Sequence, residues 1–246
     1  MSSTPTLRPG LPPVPAHMAH LPLDERGYPV PFFVAWVDGK PDFRCMTSGA
    51  WEACVTDRRC WICGGILGRF KAFVLGPIGC LTLTSPEPPS HRQCALFAVQ
   101  ACPFLVRPHA QRREARMPAE AEEPAGLMLK GNPGLVVLWT TTDYRPFRVG
   151  AGIGREGLLL KVGDPVPSEG LCEELMVEPW MQGRPASREE FRAALHEDVE
   201  ELCATVAPFP DAREEVAQIL GRLHDFETLM GWPPRPGGRM FWRLKP

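Results

Sequence analysis

Cys60-Trp61-Ile62-Cys63-Gly64, answered further on by Ser90-His91-Arg92-Gln93-Cys94, is the pair of stretches from which the fold is read. Two cysteines separated by two residues reach one ion from a single tight turn. Gly64 directly after the second lets the chain reverse, because glycine accepts positive φ. His91 and Cys94 stand at i and i+3, neighbours on one face of a helix. The run Ser85-Pro86-Glu87-Pro88-Pro89-Ser90 cannot be helix interior, so a helix is predicted to start at Ser90 as N-cap. It continues through the apolar residues 95–102 to Pro103. Three thiolates and an imidazole match the donor set of a closed tetrahedral zinc site. Cys60, Cys63, His91 and Cys94 are therefore the candidate metal ligands and zinc the expected cofactor. The competing reading is four half-buried residues without a metal, since free cysteine behaves as a small core hydrophobe. Cys80 and Cys102 are expected to be core residues of that kind; Cys102 lies two helical turns beyond Cys94.

Between the ligand pairs, residues 69–75 and 80–84 read as two short strands joined by Gly76-Pro77-Ile78-Gly79. Knuckle, hairpin, then a helix carrying the last two ligands resembles the treble-clef zinc fingers, over residues 58–104. Nucleases built on such knuckles carry a histidine or carboxylate pair on the hairpin; residues 73–84 contain neither. The H-x-E and P-C-x-x-C pairing of zinc deaminases is missing as well. The metal is thus expected to be structural. Over most of its length the chain also resembles a group of bacterial and prophage-type proteins with no established activity, through the shared CWxCG and PPSHRxC segments; that resemblance brings no catalytic residue with it.

With 246 residues, 44% of them hydrophobic, the chain can bury a core of one large or two small domains. Nine cysteines and an N-terminus without an apolar signal segment favour reduced thiols and a cytoplasmic setting. No apolar run approaches the ~18 residues of a membrane span. Charge is unevenly placed. Residues 57–116 carry nine Lys or Arg against three acids, and residues 117–246 fourteen against twenty-one. Arg58, Arg59, Arg69, Lys71 and Arg92 flank the ligand segments and are the candidate contacts to a nucleic-acid phosphate backbone.

The rest of the chain organises around this module. Residues 1–25 read as an extended tail, in which His17 and His20 make only a weak metal pair. An apolar run at 29–37, the turn signal Asp38-Gly39 and a returning strand at 42–46 predict a hairpin packed on the zinc module, within a unit spanning 26–106. A short helix is expected at 48–55. Residues 107–125, charged and bounded by prolines, read as a linker or exposed loop. Residues 126–246 form the remaining unit, with strands at 134–142, 147–149 and 158–162. Gly152-x-Gly154-x-x-Gly157 fits a dinucleotide pattern on paper but precedes a strand, so it reads as a hairpin loop. Ser187-Arg188-Glu189-Glu190 is a capping box, followed by a stripe of Phe191, Leu195, Val199 and Leu202. A second stripe, Val216, Ile219, Leu220, Leu223 and Phe226, completes an acidic helical hairpin; His196 and His224 at its edges read as surface or boundary histidines. An extended aromatic tail closes the chain.

The expected fold is α+β: a small antiparallel sheet, the zinc module and a C-terminal helical hairpin. The expected function is a structural-zinc binding or adaptor protein whose basic module contacts nucleic acid or a protein partner. The alternative is an enzyme with its site between sheet and C-terminal helices, for which Cys45 or Cys54 is the candidate thiol.

Overall fold

The computed structural model describes residues 5–108, 110–111, 125–126, 132, 134–150, 154–166, 176–209 and 212–230. Most of the expected linker at 107–125 and the whole aromatic tail lie outside these residues, as does the first part of the glycine pattern.

The centre of the molecule is an antiparallel sheet built from β3 (Lys71–Leu75), β5 (Val136–Thr141), β8 (Val177–Met181) and β9 (Arg184–Pro185), in the order β9-β8-β5-β3. Every residue of β5, Val-Val-Leu-Trp-Thr-Thr, is buried. A strand covered on both faces needs no alternation of polar and apolar residues. One face carries Phe73, Leu75, Val137, Trp139 and Val177. It packs on α2 (Pro77–Thr82), α4 (Arg188–Val206) and α5 (Ala212–Leu229). The opposite face carries Ala72, Val136, Leu138 and Trp180 against Ala95 and Val99 of α3 (Arg92–Ala101). The sheet therefore separates two helical layers. Because β3 follows the knuckle in sequence and pairs with β5, the metal-ligand segments and the C-terminal half share one sheet.

A smaller antiparallel sheet combines β4 (Thr84–Ser85), β7 (Gly157–Val162) and β6 (Tyr144–Val149). The pairing Val149↔Gly157 makes the glycine-containing segment between them a β-hairpin connection. The N-terminal hairpin joins β1 (Val34–Val37) to β2 (Lys40–Met46). Its turn residues Asp38 and Gly39 both have positive φ, 49° and 74°, the backbone of the two-residue turn that follows strand twist. It leads into α1 (Ala50–Thr56), the short helix expected before the knuckle.

The capping box at Ser187 is fully formed. Ser187 Oγ accepts the Glu190 N–H at 3.1 Å, and Glu190 accepts the Ser187 N–H at 2.8 Å. The stripes of α4 and α5 face each other, with Phe191 and Phe226 in an edge-to-face contact at 5.9 Å.

Two local expectations fail. Residues 77–82 form a helix, not the second strand of a hairpin. Gly76 is the N-cap and Pro77 occupies its first turn, where a missing N–H costs nothing. The helix buries Cys80 and Leu81 in the main core. Leu83, at φ 51°, ends it, leaving only the two residues of β4 extended. The second failure is the start of α3. Ser90 is not its N-cap, because both its main-chain groups pair with Ala72 at 2.8 and 2.9 Å; His91 caps instead. Of the two places expected for His196, surface or boundary, it takes the boundary: it is 9% exposed between α4 and α5 and meets Glu227 at 2.8 Å.

Candidate metal centre

The knuckle is shaped by its main chain before any ligand is considered. Cys60 N–H donates to Gly65 O at 2.7 Å, and Gly64 N–H to Cys60 O at 2.8 Å, closing the turn between the two cysteines. Gly64 has φ 72°, and a β-carbon there would stand 2.8 Å from the ring of Phe32. The position thus requires glycine twice, for the turn and for the approach of the segment before the hairpin. Trp61 N–H donates to Pro89 O at 3.0 Å, which draws the proline-rich run alongside the knuckle. That run delivers His91 to the N-cap of α3 and Cys94 to its first turn, where the helix dipole favours a thiolate.

Cys60, Cys63, His91 and Cys94 converge, with their donor atoms all within 4.8 Å of one another. Cys63 Sγ lies 3.3 Å and Cys94 Sγ 3.9 Å from His91 Nδ1. Tetrahedral zinc with thiolates at ~2.3 Å and an imidazole at ~2.0 Å puts sulfur and nitrogen roughly 3.6 Å apart. The cluster is therefore close to the size of a metal shell. All three cysteines are buried, and His91 is half-buried.

The surroundings fix each donor. His91 Nε2 faces Ile66 O at 3.0 Å, so the ring proton sits on Nε2 and Nδ1 is free to bind. Cys60 Sγ accepts two main-chain N–H groups, from Cys63 at 3.4 Å and His91 at 3.3 Å. Hydrogen bonds from the Cys63 and Cys94 thiols hold the Cys60 thiol far below its ordinary pKa. By the same exchange, hydrogen bonding to Cys60 pushes Cys94 far up. Three crowded sulfurs sharing protons are the situation that one divalent cation replaces.

Residues 5–25, expected as a tail, lie partly over this centre. Met18 of the single-turn helix Ala16–Met18 is buried among the ligand cysteines, with Leu11, Val14 and Leu21 beside it. His17 stacks on His91, ring centres 4.2 Å apart and planes within 6°. His20 Nε2 meets Cys63 O at 3.0 Å. The His17-x-x-His20 spacing is the one sequence signal at these contacts, a weak metal pair that reads more readily as exposed loop histidines. Their place is around the ligands.

Cys80 and Cys102 stand outside the cluster: Cys80 is in the main core, and Cys102 is the C-cap of α3. Cys54 is fully buried, and burial, more than the nearby Cys60, pushes its thiol up to about 12. A neutral buried thiol does not serve as a nucleophile.

The five candidate phosphate contacts divide. Arg92 forms a two-pronged pair with Glu178, with bonds of 2.7–3.0 Å. Lys71 is 8% exposed, and its ammonium donates to Arg69 O and Thr142 O, each at 3.0 Å. Arg59 reaches Asp57 at 3.4 Å and Gly64 O at 3.3 Å. Arg69 lies over the Phe70 ring. Arg58 lines a surface cleft with Lys71. No helix among the described residues is long and apolar enough to cross a membrane.

No family model, curated protein or solved structure matches this chain.

Proposed function

We propose that Cys60, Cys63, His91 and Cys94 hold one structural zinc ion, and that the protein is a binding or adaptor protein whose N-terminal half is folded around that ion. The observation that carries this reading is the closed donor set, three sulfurs and one imidazole nitrogen within 4.8 Å of one another. Four N/S donors leave no position for a reacting water, the mark of a structural site. The ring proton of His91 and the N–H groups on Cys60 supply the supporting shell that such sites need. On this reading the knuckle and ligand-bearing helix of a treble clef are kept, while the segment between them is rebuilt as a strand and a short helix.

The basic residues support nucleic-acid contact less well than their number suggests. Arg92 is already paired with Glu178, and Lys71 is almost fully buried with two of its N–H groups on main-chain carbonyls, so contact with a nucleic-acid backbone would fall to Arg58, Arg59 and Arg69. Metal analysis of the purified chain tests the zinc reading. One zinc per chain is expected, lost in Cys60→Ser and Cys94→Ser. Metal-free protein from zinc-replete expression that is as stable as the zinc-loaded form would end it.

A further inference from the structure

The first residue after the C-cap of α1 is Arg58, with φ 54°. Helices commonly place glycine there, because a left-handed backbone disfavours any residue with a β-carbon. The neighbouring main chain leaves no freedom: Arg59 N–H donates to Cys54 O at 3.0 Å and Leu67 N–H to Arg58 O at 2.8 Å. The side chain held at this strained position makes no hydrogen bond or ion pair among the described residues. It lines a cleft of about 280 Å³ together with Val55, Lys71, Thr142, Tyr144 and Pro146, and Asp143 is the one acid there. Lys71, almost fully buried, gives two of its N–H groups to main-chain carbonyls and keeps the third. The hydroxyl of Tyr144 is buried without an acceptor among the described residues.

A strained arginine without a partner and a buried ammonium with a donor to spare meet at one cleft, beside a buried phenol hydroxyl. The two cations lack the same thing, an anionic partner. We propose that this cleft binds the terminal phosphate of a small phosphomonoester. A monoester carries ≈ −1.5 to −2 charge at neutral pH, which the two cations attract, and offers three acceptor oxygens. With Asp143 in the lining, the two cations leave the cleft a formal net charge of +1, which suits one phosphate better than a long polyanion, and Arg92 is paired with Glu178. The site goes beyond the zinc reading and does not depend on it.

The experiment is titration of the full chain with inorganic phosphate at low salt, followed by calorimetry and amide shifts, beside the Arg58→Gly variant. Glycine relieves the backbone strain, so this variant folds at least as well as the native chain and keeps its zinc. The expected result is saturable binding, with shifts around 55–58, 71 and 142–146, weakened at least about tenfold in Arg58→Gly, the scale of one charged hydrogen bond. A single-stranded oligonucleotide without a terminal phosphate forms the second arm and is expected not to compete. Absence of phosphate binding, equal binding by Arg58→Gly, or competition by the oligonucleotide at lower concentration than phosphate would each overturn the proposal. Metal content is read on the same samples. Zinc lost together with phosphate binding in Arg58→Gly would also overturn it, by assigning Arg58 to the metal module.

Discussion

Around Cys60, Cys63 and Cys94 the buried apolar side chains are Met18, Ile62, Leu67, Phe97 and Ala101. Between the central sheet and α2, α4 and α5 they include Phe73, Trp139, Leu160, Phe191, Leu195, Leu223 and Phe226. The first set is too small to hold a loop-rich segment by burial alone, since each ordered residue costs about 1–2 kcal/mol of backbone entropy. The second is a full hydrophobic core, with two long helices, of which α4 opens on a capping box. One chain thus uses two means of folding. On the structural-zinc reading, one half relies on a metal shell and its hydrogen bonds, the other on apolar area, and β3 and α3 join them.

The strongest way to break this comparison is to remove the shell. Apparent zinc binding of ~10–16 kcal/mol is folding free energy in such modules. Cys60→Ser, Cys94→Ser or a strong chelator should therefore open residues 8–67, with α4 and α5 still folded. Hydrogen exchange reads this directly. Amides of the knuckle should lose protection while those of the helical hairpin keep most of theirs. Equal loss in both halves would mean that the halves form one cooperative unit.

The converse is Phe191→Ala. Phe191 is fully buried against Phe226. Removing it should cost about 3–5 kcal/mol, read by denaturant unfolding, while zinc content stays unchanged. A variant that lost metal would show that the main core positions the ligands.

What the sequence made legible was local. The convergence of Cys60, Cys63, His91 and Cys94 follows from their spacing, the hairpin turn from Asp38-Gly39, and the start of α4 from Ser187 and Glu190. What it hid depended on distant partners. Leu81-Thr82-Leu83-Thr84 alternates like a strand, yet the chain takes a helix over Pro77–Thr82 because Cys80 and Leu81 then enter the core formed with α4 and α5. Ser90 has the chemistry of a cap, but its main chain is claimed by Ala72. The partner of β3 is β5, which begins more than sixty residues later, so no local pattern announces the pairing. His17 and His20 were visible as a pair, but their contacts with His91 and Cys63 are products of the fold.

Two smaller effects sharpen the border between the halves. Asp198 is buried in α4, and burial raises its carboxyl to about 7, aided by Glu201 and Glu197. A carboxyl raised on folding disfavours the native state once the unfolded chain has ionised. Stability should therefore fall as pH rises from about 4 to 7 and level off above that range. Asp198→Asn should flatten this slope and stabilise the protein at pH 8, by roughly 1.4 kcal/mol for each pKa unit recovered. Thermal melts across this range, with zinc content monitored, give the answer; an unchanged slope would remove Asp198 as its cause. Cys80→Ala and Cys102→Ala should each cost about 1–2 kcal/mol and leave one zinc bound, because neither sulfur belongs to the shell.

The smallest equilibrium effect belongs to His17, and it decides where the metal-dependent half begins. Its ring lies flat on His91 at 4.2 Å, and Met18, next in the chain, is buried beside the cysteines. A stacked ring pair contributes about 0.5–1.5 kcal/mol beyond its buried area. That is small beside the metal shell, so His17→Ala should keep one zinc per chain and nearly the same melting temperature. Kinetics should respond more. On the zinc reading a chelator would approach the ion past residues 16–21, and the stack and the His20 contact to Cys63 O hold that segment in place. Zinc transfer to a chromogenic chelator should be several-fold faster in His17→Ala, and faster still in His17→Ala with His20→Ala. Identical transfer rates in all three proteins would place the border of the metal-dependent half at the knuckle itself, with the N-terminal segment lying over it as a passive cover.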